Sequence, residues 1–301
     1  MRAWLALAFL LCAPPIASAQ SSHLLIVVGL AGDPEHGELF DKWAKTLAAA
    51  ASDRLGVPTE QIQTLSGDAA TRAAVTKALT SLQAAGPDDT IMIVLFGHGT
   101  FDGSTAKFNL PGPDMTPQDF APLLSKLKSG RLVFVDTASA SGPFVEALSG
   151  PGRVIVAATR NGAEKYATLF GGPFVDAFSN EAADTNRDGK VTILEAFEFA
   201  KQQVEASFQR EGIMQTEHAI IDDTSRAALV SLGSTAHAAL PADPRLRTLY
   251  VERQQLEQRI ESLKLLKSSM DPDKYAAELE KLATELAEKS RQIREAEGKG
   301  K

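Results

Sequence analysis

The stretch Thr90–Thr100, TIMIVLFGHGT, restricts the fold more than any other part of the chain. Ile91 through Leu95 form an unbroken apolar run, too short to cross a bilayer and too uniform for a strand with one wet face. Such a run suits the central strand of a parallel sheet, covered by helices on both sides. It stops at Gly97-His98-Gly99, which puts His98 just past the strand's carboxyl end. Open α/β sheets hold their ligands at that edge. An imidazole there is either a reagent or a turn residue, and the neighbouring strand ends decide which.

Similar runs recur on both sides of it. His23–Leu30, Leu132–Val135 and Val154–Ala157 read as buried strands, and Gln61–Leu65 as a short one. Between them lie helical spacings: Leu39–Leu55, with Phe40, Trp43, Leu47 and Ala51 on one face, and a segment from Ser66 through Ala85. Further helices are expected from Thr116 to Leu127, from Pro143, over Phe170–Asn180 and over Ile193–Phe208. Phe101–Asp114 reads as a hairpin or loop and His218–Ile221 as a last edge strand. Strands alternating with helices make βαβ units, so the fold class is α/β, a mostly parallel sheet sandwiched by helices.

Met1–Ala19 has the form of an export signal. Arg2 supplies the positive start, Leu5–Cys12 the short apolar run, and Ala17-Ser18-Ala19 a small-residue cleavage site. Pro14 and Pro15 cut that run well short of a span, so no membrane span is expected after signal cleavage. The product is expected to be exported, periplasmic or secreted. Cys12 is the sole cysteine, so the cleaved protein would hold neither a disulfide nor a thiol nucleophile. A net charge of −7 and 6% aromatic residues give no electrostatic or stacking reason to expect a nucleic-acid partner. No organic cofactor is called for.

The composition changes towards the C-terminus. A Ser-, Ala- and Gly-rich linker, residues 231–243, follows the α/β domain of residues 20–230. From Pro244 to Lys301 the chain is rich in Leu, Glu, Lys, Gln and Arg. Leu246, Leu249, Leu256, Ile260, Leu263 and Met270 keep a/d spacing, and Tyr275, Leu279, Leu282, Leu286 and Ile293 repeat it after Asp271-Pro272-Asp273. Two helices that form an antiparallel hairpin, or a coiled coil that makes a homo-oligomer, fit this pattern. Helices packed on the sheet fit it as well.

The strand ends hold the chemistry. Asp33 and His36 follow the first strand, His98 the central one, and Asp136-Thr137-Ala138-Ser139-Ala140-Ser141-Gly142 the next. A small metal or ligand site on the first part of this rim stands against a reading as ordinary loop residues. The order of motifs resembles the caspase/legumain-like cysteine peptidases (clan CD): an apolar strand ending in His-Gly, a helix, then a second apolar strand ending in a short acidic-x-Cys motif, often with Ser-Gly after it. The resemblance covers roughly residues 23–223. It implies the caspase-like fold, a peptide or protein ligand, and a role for His98 as the family's catalytic histidine, with Gly99 beside it. It also sets Asp136 and Thr137 before the nucleophile position and Ser141-Gly142 after it.

That position is Ala138. A methyl group cannot attack a carbonyl, and loss of the nucleophile costs a serine protease about 10⁶ in turnover. Ser139, Ser141 and Thr137 are the conceivable substitutes, each needing a general base within hydrogen-bonding reach. The plainer reading has these hydroxyls satisfying loop and helix-start backbone groups. The expectation is a non-catalytic binding or scaffold protein. The alternative is a hydrolase using one of those hydroxyls with His98.

Asp184–Glu195, DTNRDGKVTILE, matches the EF-hand loop pattern throughout. Asp184, Asn186 and Asp188, the Lys190 carbonyl, Thr192 (directly or through water) and a bidentate Glu195 are placed to hold Ca²⁺, with Gly189 at the sharp turn. The competing reading is an acidic loop that caps the following helix without an ion.

Overall fold

The computed structural model describes residues 20–185, 189–233, 243–267 and 270–298. The expected export signal Met1–Ala19, residues 234–242 of the expected linker, and Asn186, Arg187 and Asp188 of the acidic loop lie outside the described residues.

Eight strands and nine helices are described. The strands are β1 (Ser22–Val28), β2 (Ile62–Leu65), β3 (Thr90–Phe96), β4 (Gly99–Phe101), β5 (Ala106–Phe108), β6 (Arg131–Asp136), β7 (Arg153–Ala157) and β8 (Ile220–Ile221). The helices are α1 (Pro34–Ala49), α2 (Arg72–Ser81), α3 (Pro117–Leu124), α4 (Gly142–Leu148), α5 (Gly171–Ala177), α6 (Ile193–Glu211), α7 (Thr224–Ala227), α8 (Pro244–Leu265) and α9 (Pro272–Gly298). The main sheet has the order β2-β1-β3-β6-β7-β8. All its pairs are parallel except β7–β8, which is antiparallel. β4 and β5 form a separate two-stranded antiparallel hairpin.

Every residue of β3 is buried, as its uninterrupted apolar run requires. Side chains alternate across a strand, so Met92, Val94 and Phe96 enter one apolar layer and Ile91, Ile93 and Leu95 the other. The first layer is closed by α1, α5 and α6 through Phe40, Trp43, Leu47, Phe174, Phe197 and Val204. The second is closed by α2, α3 and α4 through Val75, Leu79, Phe120, Leu124, Phe144 and Leu148. A large apolar side chain contributes about 1.5–3 kcal/mol on burial. Seating this one strand thus matches in size the net stability of a whole domain.

Local chemistry sets the helix boundaries. Asp33 accepts the His36 N–H at 2.9 Å and Pro34 opens α1. Thr116 with Asp119, and Thr192 with Glu195, form reciprocal capping boxes at α3 and α6. The helix expected over Leu39–Leu55 begins earlier, because that cap and proline start it, and it ends in a wider π turn over Ala50–Arg54. The single helix expected from Ser66 to Ala85 divides into a 3₁₀ turn (Gly67–Ala69), α2, capped by Thr71, and a 3₁₀ turn (Leu82–Ala84).

α8 and α9 pair as an antiparallel hairpin with its own small core of Leu256, Ile260, Leu263 and Leu282, flanked by Tyr275, Leu279 and Leu286. Lys289 meets Glu252 at 2.7 Å and Arg259 meets Glu278 at 3.5 Å across the pair. Exposed pairs of this kind add at most about 1 kcal/mol each, so they set register more than stability. Among the described residues no helix is long and apolar enough to cross a membrane.

β6, α4 and β7 meet where the backbone at Gly142 lies against the backbone of Arg160 and Asn161. A Cβ at Gly142 would fall 2.4 Å from the Arg160 carbonyl carbon and the Asn161 nitrogen. Gly142→Ala is therefore expected to lower the unfolding free energy by about 3 kcal/mol. Gly150→Ala, whose Cβ would meet only the Arg153 side chain at 3.7 Å or beyond, should stay within about 0.5 kcal/mol of the parent. Urea denaturation of both variants checks the contrast.

Candidate functional site

The carboxyl ends of β1, β3, β6 and β7 lie side by side, since these strands are consecutive neighbours in the sheet. The chain leaves β1 for β2 on one flank and reaches β3 on the other. β1 and β3 thus bound the crevice that such a reversal opens, while β6 ends one strand further on.

The first part of the rim is lined by rings. His98 is half-buried in the turn after β3. Its ring centre is 4.8 Å from that of His36 and 5.3 Å from that of Phe40, both edge-on. The Ala31 backbone lies beside the His98 ring. Burial lowers the pKa of His98, and the neighbouring His36 adds to that effect. His36 Nδ1 is 2.7 Å from Asp33 Oδ2. The bonds that Asp33 accepts from the His36 backbone and ring hold its carboxyl below its ordinary range. Asp33, His36 and His98 thus come together, as the strand order predicted.

The second part of the rim is tied shut. Ala138 has 0% of its surface exposed, and its methyl group joins the apolar layer under α3 and α4. Thr137, Ser139 and Ser141 are exposed by only 1%, 3% and 1%. Thr137 Oγ1 donates to the Leu95 carbonyl at 2.8 Å. Ser139 Oγ donates to the Gly99 carbonyl at 3.1 Å and accepts the Gly99 N–H at 3.2 Å. Ser141 Oγ lies 3.2 Å from Thr159 Oγ1 and accepts the Thr159 N–H at 3.2 Å. None of these bonds reaches His98. A Cβ at Gly99 would fall 2.1 Å from the Ser139 carbonyl oxygen, so the glycine after the histidine is what lets the two strand ends touch.

The expected helix-start role of Ser141 is filled differently. Its side chain makes no cap bond to α4, and the Gly142 N–H goes to Thr159 Oγ1 at 3.1 Å. Ala140 has φ 55, the one left-handed residue other than glycine among the described residues. Its N–H donates to the Glu164 carbonyl at 2.8 Å, which holds that conformation.

No local pattern in the sequence points to the residues that hold this turn from behind. The Glu164 carboxylate binds His218 Nδ1 at 2.7 Å and Arg160 Nε at 3.0 Å. Glu217, 2% exposed, accepts the N–H groups of Leu169 and Phe170 at 2.6 and 3.0 Å. Glu164 and His218 stand 54 positions apart in the chain, with no local motif joining them. From the other flank, the Phe101 ring fills the space above Gly162.

The acidic loop is seen in part. Asp184 Oδ2 accepts the Gly189 N–H at 2.8 Å. Glu195 Oε1 accepts from Thr185 N and Oγ1, and Oε2 from Thr192 N and Oγ1. Asp184, Lys190, Thr192 and Glu195 lie within the described residues; Asn186 and Asp188 lie outside them. Among the described residues no group of three or more His, Cys, Asp or Glu side chains is arranged to hold a metal ion.

Asp136 is the electrostatic cost of the closed turn. It is 1% exposed; Oδ1 accepts the Ala138 N–H at 3.0 Å and Oδ2 has no protein partner. Burial raises its pKa from 3.8 to about 7, against the smaller effect of the Ala138 bond. Burial also raises Glu217 from 4.5 to about 7. A carboxyl that holds its proton more tightly in the folded state leaves that state less stable as pH rises from the unfolded pKa to the folded one. These two groups therefore draw stability down between about pH 4 and 7 and no further above it. Asp136→Asn keeps the acceptor for Ala138 and removes the charge. It should match the parent near pH 4 and exceed its stability at pH 8, by up to about 4 kcal/mol, as measured by chemical denaturation at the two pH values.

No curated protein matches the chain. Among solved structures, the crystal structure of caspase-1 from Spodoptera frugiperda is similar to it, with a TM-score of 0.45 and 13% identity, covering 68% of this chain and 87% of that one. Residues 33–223, more than half of the 301, match the Peptidase C13 family. That match takes in the ends of β3, β6 and β7 and the whole acidic loop, and the chain belongs to the Peptidase C13 family.

Proposed function

We propose that this chain is a Peptidase C13 protein without peptidase chemistry, exported to the periplasm or beyond, that works by binding a peptide or protein. Ala138, at the position where the resemblance places the family's cysteine, carries the reading. Its methyl group has no lone pair to offer a carbonyl, and it faces the apolar layer. Support also comes from the hydroxyls around it. Thr137 and Ser139 have spent their protons on the Leu95 and Gly99 carbonyls, and Ser141 is paired with Thr159. A base must reach such a proton to make an alkoxide, and none of the bonds these hydroxyls make goes to His98. In this reading the hairpin of α8 and α9 is the assembly element, either within one chain or between copies.

Peptide-library digests with the purified full chain test this directly. Turnover should not exceed that of a His98→Ala control. Cleavage by the parent that disappears in the control would restore the hydrolase alternative.

Calcium is the second part of the proposal. Asp184, Asn186, Asp188, the Lys190 carbonyl, Thr192 and Glu195 would hold it, a set of hard oxygen donors suited to that ion. Asp184 already takes the Gly189 N–H, and Glu195 is folded over the start of α6. The ion would join the loop to α6 and so act on stability. Millimolar Ca²⁺ is expected to raise the melting temperature, and Glu195→Gln to remove that rise. A melting temperature indifferent to millimolar calcium would rule the site out.

A further inference from the structure

The crevice between β1 and β3 holds two imidazoles, one from the first turn of α1 and one from the turn after β3, with ring centres 4.8 Å apart. The first ring is held from one side by an oxygen. Asp33, a carboxylate that can only accept, sits 2.7 Å from His36 Nδ1. The neutral His36 ring therefore carries its proton on Nδ1 and presents Nε2 as a lone pair. A neutral His98 ring likewise has one nitrogen lone pair, and the Ala31 backbone lies beside it.

A ring N–H held by a carboxylate or a backbone carbonyl is the outer-shell arrangement that fixes the tautomer of a metal-bound histidine. Here it occurs at His36, with the His98 ring alongside. Two imidazoles on one zinc, each with its nitrogen 2.0–2.1 Å from the ion, place their ring centres roughly 5 Å apart. That is close to the separation found. Phe40, buried, packs 5.8 Å from His36 and 5.3 Å from His98 and closes the apolar side of the pair. The His36 side chain keeps 30% of its surface open to solvent, so water can reach an ion bound there.

We propose that His36 and His98 bind one divalent transition-metal ion of the zinc class, with Asp33 as the outer shell and water at the remaining positions. No third His, Cys, Asp or Glu joins them among the described residues, so this is an open site and not a closed structural one. Imidazole nitrogen selects zinc, copper and nickel over calcium and magnesium, which sets the site apart from the all-oxygen loop at Asp184–Glu195. The proposal does not depend on the loss of a nucleophile at position 138.

The test is calorimetric titration of the full chain with zinc chloride in excess calcium, which occupies the hard-oxygen donors. One zinc per chain is expected. His36→Phe and His98→Phe, which keep a ring in each place, should each weaken binding at least about 10-fold. Asp33→Asn, which still caps α1, should weaken it about 10-fold through the outer shell alone. In case either phenylalanine variant misfolds, the parent is also treated with diethyl pyrocarbonate with and without zinc, and modified peptides are read by mass spectrometry. Zinc should protect His36 and His98 together and leave the reactivity of His23 and His218 unchanged. Absence of zinc binding, unchanged affinity in folded His36→Phe and His98→Phe proteins, or protection falling on His23 or His218 instead, would each overturn the proposal.

Discussion

Burial of β3 on both faces is the constraint from which the other features follow. With Ile91, Ile93 and Leu95 in one layer and Met92, Val94 and Phe96 in the other, its backbone can only be satisfied by strands on either edge. β1 and β6 supply them, both in parallel register. Parallel pairing then carries the carboxyl ends of β1, β3 and β6 to one side of the sheet. Asp33, His98 and Ala138 are therefore neighbours along one rim by geometry, although the chain separates them by scores of residues.

The two halves of that rim differ in how their polar groups are satisfied. Beside β6, nearly every group between Asp136 and Gly142 is spent on the protein itself. Thr137 bonds β3, Ser139 bonds both backbone groups of Gly99, Ala140 is held by Glu164, and Ser141 and Gly142 share Thr159. Each of these side-chain bonds joins groups that are wholly or partly buried. Asp136 Oδ2 is the one atom left over. Beside β1, by contrast, the polar atoms are ring nitrogens and a half-exposed carboxylate, and their bonds orient them without consuming them.

Much of this was legible in the sequence because uninterrupted apolar runs admit few placements. Ile91–Leu95, Leu132–Val135 and Val154–Ala157 could hardly be anything but buried strands, and their order gave the α/β class and the shared rim. Boundaries were less legible where short-range chemistry overrode spacing. Pro34 and Asp33 started α1 before its apolar face began, and Thr71 restarted a helix that the spacing alone would have run through. The clamp of Glu164, His218 and Glu217 was not legible at all. A bond between residues 54 positions apart leaves no periodicity, and a buried glutamate looks in sequence like any solvated one. The pairing of His36 with Asp33 was half legible: a spacing of three on a helix start allows it, but the ring contact with His98 needs the sheet order.

In the proposed reading, alanine at position 138 leaves His98 without a thiol to share a proton with. In a cysteine peptidase the imidazole and the thiol share a proton, so each sets the other's chemistry. Alanine cannot take part, and the adjoining hydroxyls are turned towards backbone carbonyls. His98 is left with the partners on its other side, Ala31, His36 and Phe40. Burial favours the neutral form of its ring, at the crevice where β1 and β3 diverge. In the proposed reading the chemistry of this edge of the sheet lies with the strand pair β1–β3 and not with β6, a displacement of one strand from the position the resemblance assigns to the reaction.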